Sequence, residues 1–430
     1  MSVTTTTTAT NTSHATRKPQ KQEPLFDKPI TLNNWYKYVN WLHCVILIGT
    51  PLASLYGVFT TQLHMKTLIW AVVYYFYTAL GITGGYHRLW SHRAYNAHPL
   101  LEIFYCLGGA GAVQGSIRWW SRGHRAHHRY TDTDKDPYSA HRGLLWSHMG
   151  WMLLKRGKSI KIGYADVADL DANPIVRFQH KYYGLFAIGM GYIFPMLVAG
   201  LGWGDWRGGY FYAGTLRLCF VHHATFCVNS LAHYLGEATF DDRRSPRDHF
   251  LTALVTMGEG YHNFHHEFPN DYRNAIRFYQ YDPTKWFITV CHFLGLAYNL
   301  KKFPENEVQK GRINMLQKKL DMKKAKLTWG VPLSTLPVIT YEEFQRMCEK
   351  ENRALIVIEG IVHDVAAFID EHPGGRSLIL TGIGKDMTTA FNGGSYNHSN
   401  AARNLMSHMR VAIIQGGMEL EANKAEKAHH

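Results

Sequence analysis

The chain has 430 residues, 13% of them aromatic, and carries 46 Lys and Arg against 33 Asp and Glu, a formal charge of +13. That length admits more than one domain, and the basic balance points to an anionic partner. The apolar residues are gathered into long runs, which favours a lipid bilayer as partner and sets nucleic acid aside.

Residues 1–24 are rich in Thr, Lys, Gln and Pro and lack the apolar core of a signal peptide. A disordered cytosolic tail is expected over residues 1–30. The segments 41–60, 67–83 and 184–203 carry no formal charge, and 210–232 is mostly apolar but contains Arg217, His222 and His223. A bilayer span needs roughly 20 apolar residues, so four transmembrane helices in two hairpins are expected. The glycine-interrupted stretch "PLLEIFYCLGGAGAVQG", 99–115, reads as a re-entrant or interfacial helix, and the polar stretch 150–181 lies outside the bilayer. Lys/Arg-rich flanks at 17–28, 155–161 and 301–326 place both termini of this multi-pass protein in the cytosol. Composition changes near residue 300. A charged helical linker is expected over 301–333, a small soluble domain over 334–416 and a polar tail over 417–430. The fold class is then an all-α integral membrane domain, 31–300, with four transmembrane helices and cytosolic histidine-box helices, followed by a small α+β domain. Six scattered cysteines without C-x-x-C read as reduced thiols.

Histidines carry the chemistry. "HRAHH" places His124, His127 and His128 at i, i+3 and i+4, and "HNFHH" repeats the spacing with His262, His265 and His266. Such positions share a helix face. His87 and His92 are five apart, about 140° around an ideal helix, so a kink or helix end must bring them together. Asn229 and His233 in "NSLAH" are neighbours at i and i+4. Polar residues near a membrane core are expensive and usually functional, and imidazole is the commonest metal-ligand side chain. These nine histidines exceed the needs of one four-coordinate zinc and suit two metals with four or five ligands each, Asn229 reaching one through water. Isolated His43, His64, His98, His180 and His292 read as hydrogen-bonded structural residues; His222 and His223, near the fourth span, are harder to place. Within the histidine-box region E-x-x-H occurs once, at Glu259 to His262, where soluble di-iron bundles use two. A nearly all-imidazole site suits oxidation of an unactivated C–H bond better than hydrolysis.

In the last domain "DEHPGG" places His372 on a turn whose glycines let a flat macrocycle approach. "YNHSNAA" supplies His398 for the opposite face. Heme held by two histidines has no open position and carries electrons.

"GGYHRLWSHRAY", "RGHRAHHRYTDTDKDPY", "NSLAHYLG" and "GEGYHNFHHEFPNDYR" together resemble the boxes of membrane fatty acyl-CoA delta-9 desaturases over about residues 30–300. "GIVHDVAAFIDEHPGG" and "AFNGGSYNHSNAA" resemble a cytochrome b5 domain holding heme b, and the order of the two resembles the fungal delta-9 desaturases. The resemblance implies a di-iron centre on His87, His92, His124, His127, His128, His233, His262, His265 and His266, with Asn229 reaching one iron through water. It implies coenzyme A contacts at Arg122, Lys155 and Arg156. Phe226 stands where the family has Trp, which makes that contact less certain. Gln114, Trp120 and Thr225 match residues that bend the acyl tunnel; surface charge and helix packing remain the alternatives for all of these. Asp136 is placed either to orient a ligand imidazole or to form a turn. The implied reaction is O2-dependent insertion of a cis double bond into palmitoyl- or stearoyl-CoA at the endoplasmic reticulum membrane, with electrons from an NADH-cytochrome b5 reductase. The rivals are a lipid hydroxylase, a desaturase of other regiospecificity and a membrane-anchored heme electron carrier.

Overall fold

The structure is a computed structural model that describes residues 24–157, 161–394 and 396–416. The expected tails at 1–23 and 417–430 lie outside the described residues. The chain forms two compact units, up to Gln317 and from Lys318 onward. The charged linker is helical over Glu305–Lys324 and crosses that boundary.

In the first unit Trp41–Thr60, Met65–Ser91 and Tyr183–Trp203 are each long and apolar enough to cross a membrane. Large side chains such as Val45, Leu52 and Phe59 are exposed on the first of them, while its buried positions are the small Thr50, Ser54 and Gly57. That is the pattern of helices held by close approach where the surroundings are as apolar as the side chains. Helix Pro99–Gly111 fills the stretch expected at 99–115, with the His98 side chain accepting from Leu100 N at its start. Its glycines make contact possible: a Cβ on Gly81 would sit 2.1 Å from Gly109 N, and one on Gly109 would sit 2.2 Å from the Tyr86 ring.

Of the four expected spans, three are candidates by length and composition among the described residues. The fourth segment is helical from 206 to 229 and carries polar passengers. Arg217 is fully buried there, donating to Gly111 O at 2.8 Å, Gly191 O at 2.7 Å and Ala213 O at 3.0 Å. Gly191 and Ala213 belong to π-helical turns, where the widened ladder frees carbonyls for a side chain. The all-α description also needs amending. Asn96–Ala97 pairs antiparallel with Ala297–Tyr298, joining the segment after the first histidine pair to the one after helix Pro283–Phe293.

The second unit has a four-stranded sheet in the order Val338–Ile339, Arg410–Ile414, Ile361–Asp364, Leu355–Ile358, with the first pair parallel and the others antiparallel. "ALIVIEGIVHDV" forms the central hairpin, turning at Glu359 (φ 54°) and Gly360 (φ 77°), the double positive φ that matches strand twist. Leu355–Ile358 is buried on both faces. Leu355 and Val357 pack with Phe344 and Val362, while Ile356 and Ile358 pack with Val365 and Phe391.

Candidate metal and heme sites

The nine box histidines converge in the first unit as two groups. His87, His92, His124, His128 and His265 form one; His127, His233, His262 and His266 form the other. Within each group the candidate nitrogens all lie within 4.8 Å of one another. Local backbone explains the first pair. Gly81–Ser91 is π-helical, and His92 N donates to His87 O at 3.1 Å. The i→i+5 bond brings residues five apart onto one face, so the rings meet at 4.8 Å between centres. The H-x-x-H-H boxes lie on helices Ile117–Tyr130 and His262–Glu267. In each, the i and i+4 histidines enter one group and the i+3 histidine enters the other, so every box straddles both. Asp248 holds the second helix in place, its Oδ1 accepting from Asn263 N at 2.9 Å and Phe264 N at 3.1 Å. Asn229 ends helix Arg217–Asn229, and His233 follows on Leu231–Tyr234.

Several Nε2 atoms face each other: His92 and His124 at 2.8 Å, His87 and His265 at 3.0 Å, His128 and His265 at 3.0 Å, His262 and His266 at 3.1 Å. Two nitrogens bound at right angles to one ion at about 2.1 Å stand about 3 Å apart. His127 and His233 leave buried Nε2 atoms with no partner. Both features fit metal ions. Burial, then the neighbouring imidazoles, push His92, His124, His128, His233, His265 and His266 well below the usual imidazole range and His262 to about 3. They stay neutral, the form that binds metal.

Outer partners set which nitrogen is free. His87 Nδ1 donates to Glu259 Oε2 at 3.0 Å, His127 Nδ1 to Asp136 Oδ1 at 2.9 Å, and His233 Nδ1 meets Ser245 Oγ at 2.7 Å. The Asp136 oxygens also accept from Tyr138 N and Asp132 N at 3.1 Å. Glu259 further accepts from Arg88 Nη2 at 2.9 Å and from Asn274 Nδ2, and Arg88 is gripped by both oxygens of Asp282 at 2.9 and 3.1 Å. Burial opposes the charge on Glu259, but Arg88 and His87 outweigh it and hold the carboxyl at about 2. In the sequence Glu259 stands out only through its E-x-x-H motif. The signal for Arg88 is that it is the one formal charge in the apolar run ending at the first histidine pair.

A cavity of about 430 Å³ opens beside the groups, lined by Asn229, His124, Gln114, Trp120, Arg122, Thr225 and Phe226. Gln114 Nε2 donates to Thr225 Oγ1 at 2.9 Å across its wall, and Trp120 stacks on His124 with centres 5.0 Å apart. Lys155 and Arg156 are not among its lining residues. Lys155 is exposed, and Arg156 is half-buried, donating to Asp136 O at 2.7 Å and Asp134 O at 3.3 Å and contacting Pro137 O. Those bonds brace the Asp136 loop. Among the histidines read as structural, His43, His180 and His292 bond Met152 O at 3.0 Å, Ser116 Oγ at 2.7 Å and Ala297 O at 2.9 Å. His222 bonds Ala112 O at 2.9 Å, and His223 meets His148 at 3.0 Å.

In the second unit His372 and His398 line a cavity of about 860 Å³ with Phe368, Leu378, Phe391 and Met406. Their ring centres are 6.3 Å apart at 27°. With metal–imidazole bonds of about 2 Å, two imidazoles on opposite sides of one iron have centres roughly 6 Å apart. Each Nδ1 donates to a backbone carbonyl, His372 to Gly375 O at 3.2 Å and His398 to Phe391 O at 3.0 Å, which leaves Nε2 for iron. A Cβ on Gly374 would sit 2.9 Å from the His372 ring. The residues fit a heme.

Fold and site together define a histidine-rich membrane metalloprotein joined to a heme-binding module. Residues 64–301 match the fatty acid desaturase family, and 340–415 match the cytochrome b5-like heme/steroid binding domain. The chain is 56% identical over 407 residues to a probable acyl-CoA desaturase of Schizosaccharomyces pombe, covering 95% of this chain and 84% of that protein. It is 50% identical over 403 residues to acyl-CoA desaturase 1 of Saccharomyces cerevisiae, covering 93% and 79%. It is 40% identical over 279 residues to human stearoyl-CoA desaturase 5, covering 63% and 84%. The chain belongs to the fatty acid desaturase family and carries a fused cytochrome b5-like domain.

Proposed function

We propose that this protein is an acyl-CoA delta-9 desaturase that inserts a cis double bond into palmitoyl- or stearoyl-CoA. The supporting observation is the pair of imidazole groups, five and four, beside an apolar cavity. Two iron ions in these groups supply, when bound, the O2-dependent removal of two hydrogens from neighbouring methylenes. His87, His92, His124, His128 and His265 would hold one ion, and His127, His233, His262 and His266 would hold the other, with Asn229 offered to it through water. Glu259 and Asp136 keep the protons of His87 and His127 on Nδ1, away from the metal. The Gln114–Thr225 bond and the Trp120 ring shape the wall against which the chain bends and from which water is excluded. Arg122, exposed at the cavity, meets the anionic coenzyme A head, and Lys155 adds positive charge nearby. His372 and His398 would hold heme b, which when bound would pass single electrons received from an NADH-cytochrome b5 reductase. Tethering on one chain raises its effective concentration. The domain limits are 31–300, 301–333 and 334–416. The helix at 206–229 is the fourth crossing, with both termini on the cytosolic side of the endoplasmic reticulum. Expression in cells lacking their own delta-9 activity, followed by lipid analysis with double-bond location, is the test. A delta-9 monounsaturated product is expected, and a hydroxylated chain or a bond elsewhere refutes the reading.

A further inference from the structure

The cavity contains a residue whose backbone its own side chain disfavours. Val113, two residues past helix Pro99–Gly111, has φ +52°. A β-branched residue in the left-handed region is an outlier that persists only where its surroundings over-determine it. Here they do. Ala112 O accepts from His222 Nε2 at 2.9 Å, and Gly111 O accepts from Arg217 Nη1 at 2.8 Å. The other arm of Arg217 holds Gly191 O at 2.7 Å. Gly191 is also where the Val113 side chain rests, since a Cβ on Gly191 would sit 2.6 Å from Val113 Cγ2. One guanidinium therefore fixes both the main chain beneath Val113 and the main chain against which it packs.

Position gives this strain a purpose. On helix Arg217–Asn229 the cavity lining runs from Asn229 back to His222, seven residues or about 10.5 Å of helix. Asn229 lies at the imidazole end. Val113 also lines the cavity and follows Ala112, whose carbonyl His222 holds.

We propose that Val113 closes the inner end of the cavity and sets the length of acyl chain it accepts, an inference that rests on the acyl-CoA reading above. Val113→Gly removes the cap and relieves the backbone, because glycine takes positive φ freely. Val113→Ala shortens the cap and keeps the main chain constrained. Gly191→Ala acts in the opposite sense, its Cβ driving the Val113 side chain toward the cavity.

Each methylene accommodated changes relative binding by about fourfold. The full-length protein, supplied with reductase and an equimolar mixture of saturated 14-, 16-, 18- and 20-carbon acyl-CoAs, is assayed for the ratio of unsaturated products. That ratio does not depend on how much of each variant folds. Both Val113 variants are expected to shift it toward longer chains by about fourfold to 15-fold, and Gly191→Ala toward shorter chains. Should Val113→Gly fail to accumulate, Val113→Ala and Gly191→Ala still carry opposite expectations. Ratios that stay at the wild-type value, or move in one direction for all variants, overturn the role of Val113 while wild-type turnover leaves the desaturase reading intact. Absence of any wild-type product overturns both.

Discussion

Glu259→Gln isolates the carboxylate that joins the metal site to the buried core. Three donors converge on Glu259: His87 Nδ1 at 3.0 Å, Arg88 Nη2 at 2.9 Å and Asn274 Nδ2. Glutamine offers one acceptor oxygen and a donor amide. In one orientation its NH2 faces His87, whose proton must then move to Nε2, the atom 3.0 Å from His265 Nε2 inside the five-imidazole group. In the other it opposes the Arg88 guanidinium. Removing one partner from a buried charge network costs about 3–5 kcal/mol. The lower end applies because Asp282 still pairs with Arg88. Loss of an outer partner lowers metal affinity about 10–100-fold. The assay is non-heme iron per heme during titration with limiting iron. The heme lies in the other unit and counts the protein independently. Glu259→Gln is expected to need about 10–100-fold more free iron for half-occupancy, with heme content unchanged. An iron-to-heme curve overlying that of the wild type would refute the reasoning.

The pH dependence follows from the seven imidazoles held below their usual range, His262 at about 3. Groups kept neutral by the fold contribute stability that is complete above about pH 6.5 and lost as pH falls toward the folded values. The thermal midpoint of iron-free protein should fall between pH 7.5 and 5, by about 1.4 kcal/mol per pH unit for each proton taken up on unfolding, and a flat profile contradicts this. His398→Ala should abolish heme absorbance and retain non-heme iron, with turnover recovering when free cytochrome b5 is added. Failure of that rescue would show that the heme domain does more than deliver electrons. Gly81→Ala places a Cβ 2.1 Å from Gly109 N and 2.4 Å from Gly108 C. Both are backbone atoms that cannot turn aside, so a loss of about 1–3 kcal/mol is expected, read as a lower thermal midpoint in detergent.

Some of the site was readable because it depends on neighbours along the chain. The H-x-x-H-H boxes announce shared helix faces, and "HPGG" announces a turn open to a macrocycle. His87 and His92 were harder, since an ideal helix separates them and only the π-helical Gly81–Ser91 segment aligns them. Glu259 escaped because its role depends on Arg88, 171 positions away. The charge of Arg156 suggests phosphate, and only the fold shows that its guanidinium also donates to carbonyls of the loop at 134–137. Arg217 looked like a blemish in a span, and its meaning required carbonyls from two π-helical turns and a neighbouring helix.

The sequence by itself determined three apolar helices, the types of ligand available and the presence of two redox modules, because hydropathy and side-chain chemistry are local properties. Tertiary structure alone decided how nine imidazoles divide into five and four and which residues line the cavity beside them. Those depend on distances between segments that only packing brings together, where a helix turn displaced by one residue sends a ring to the other group.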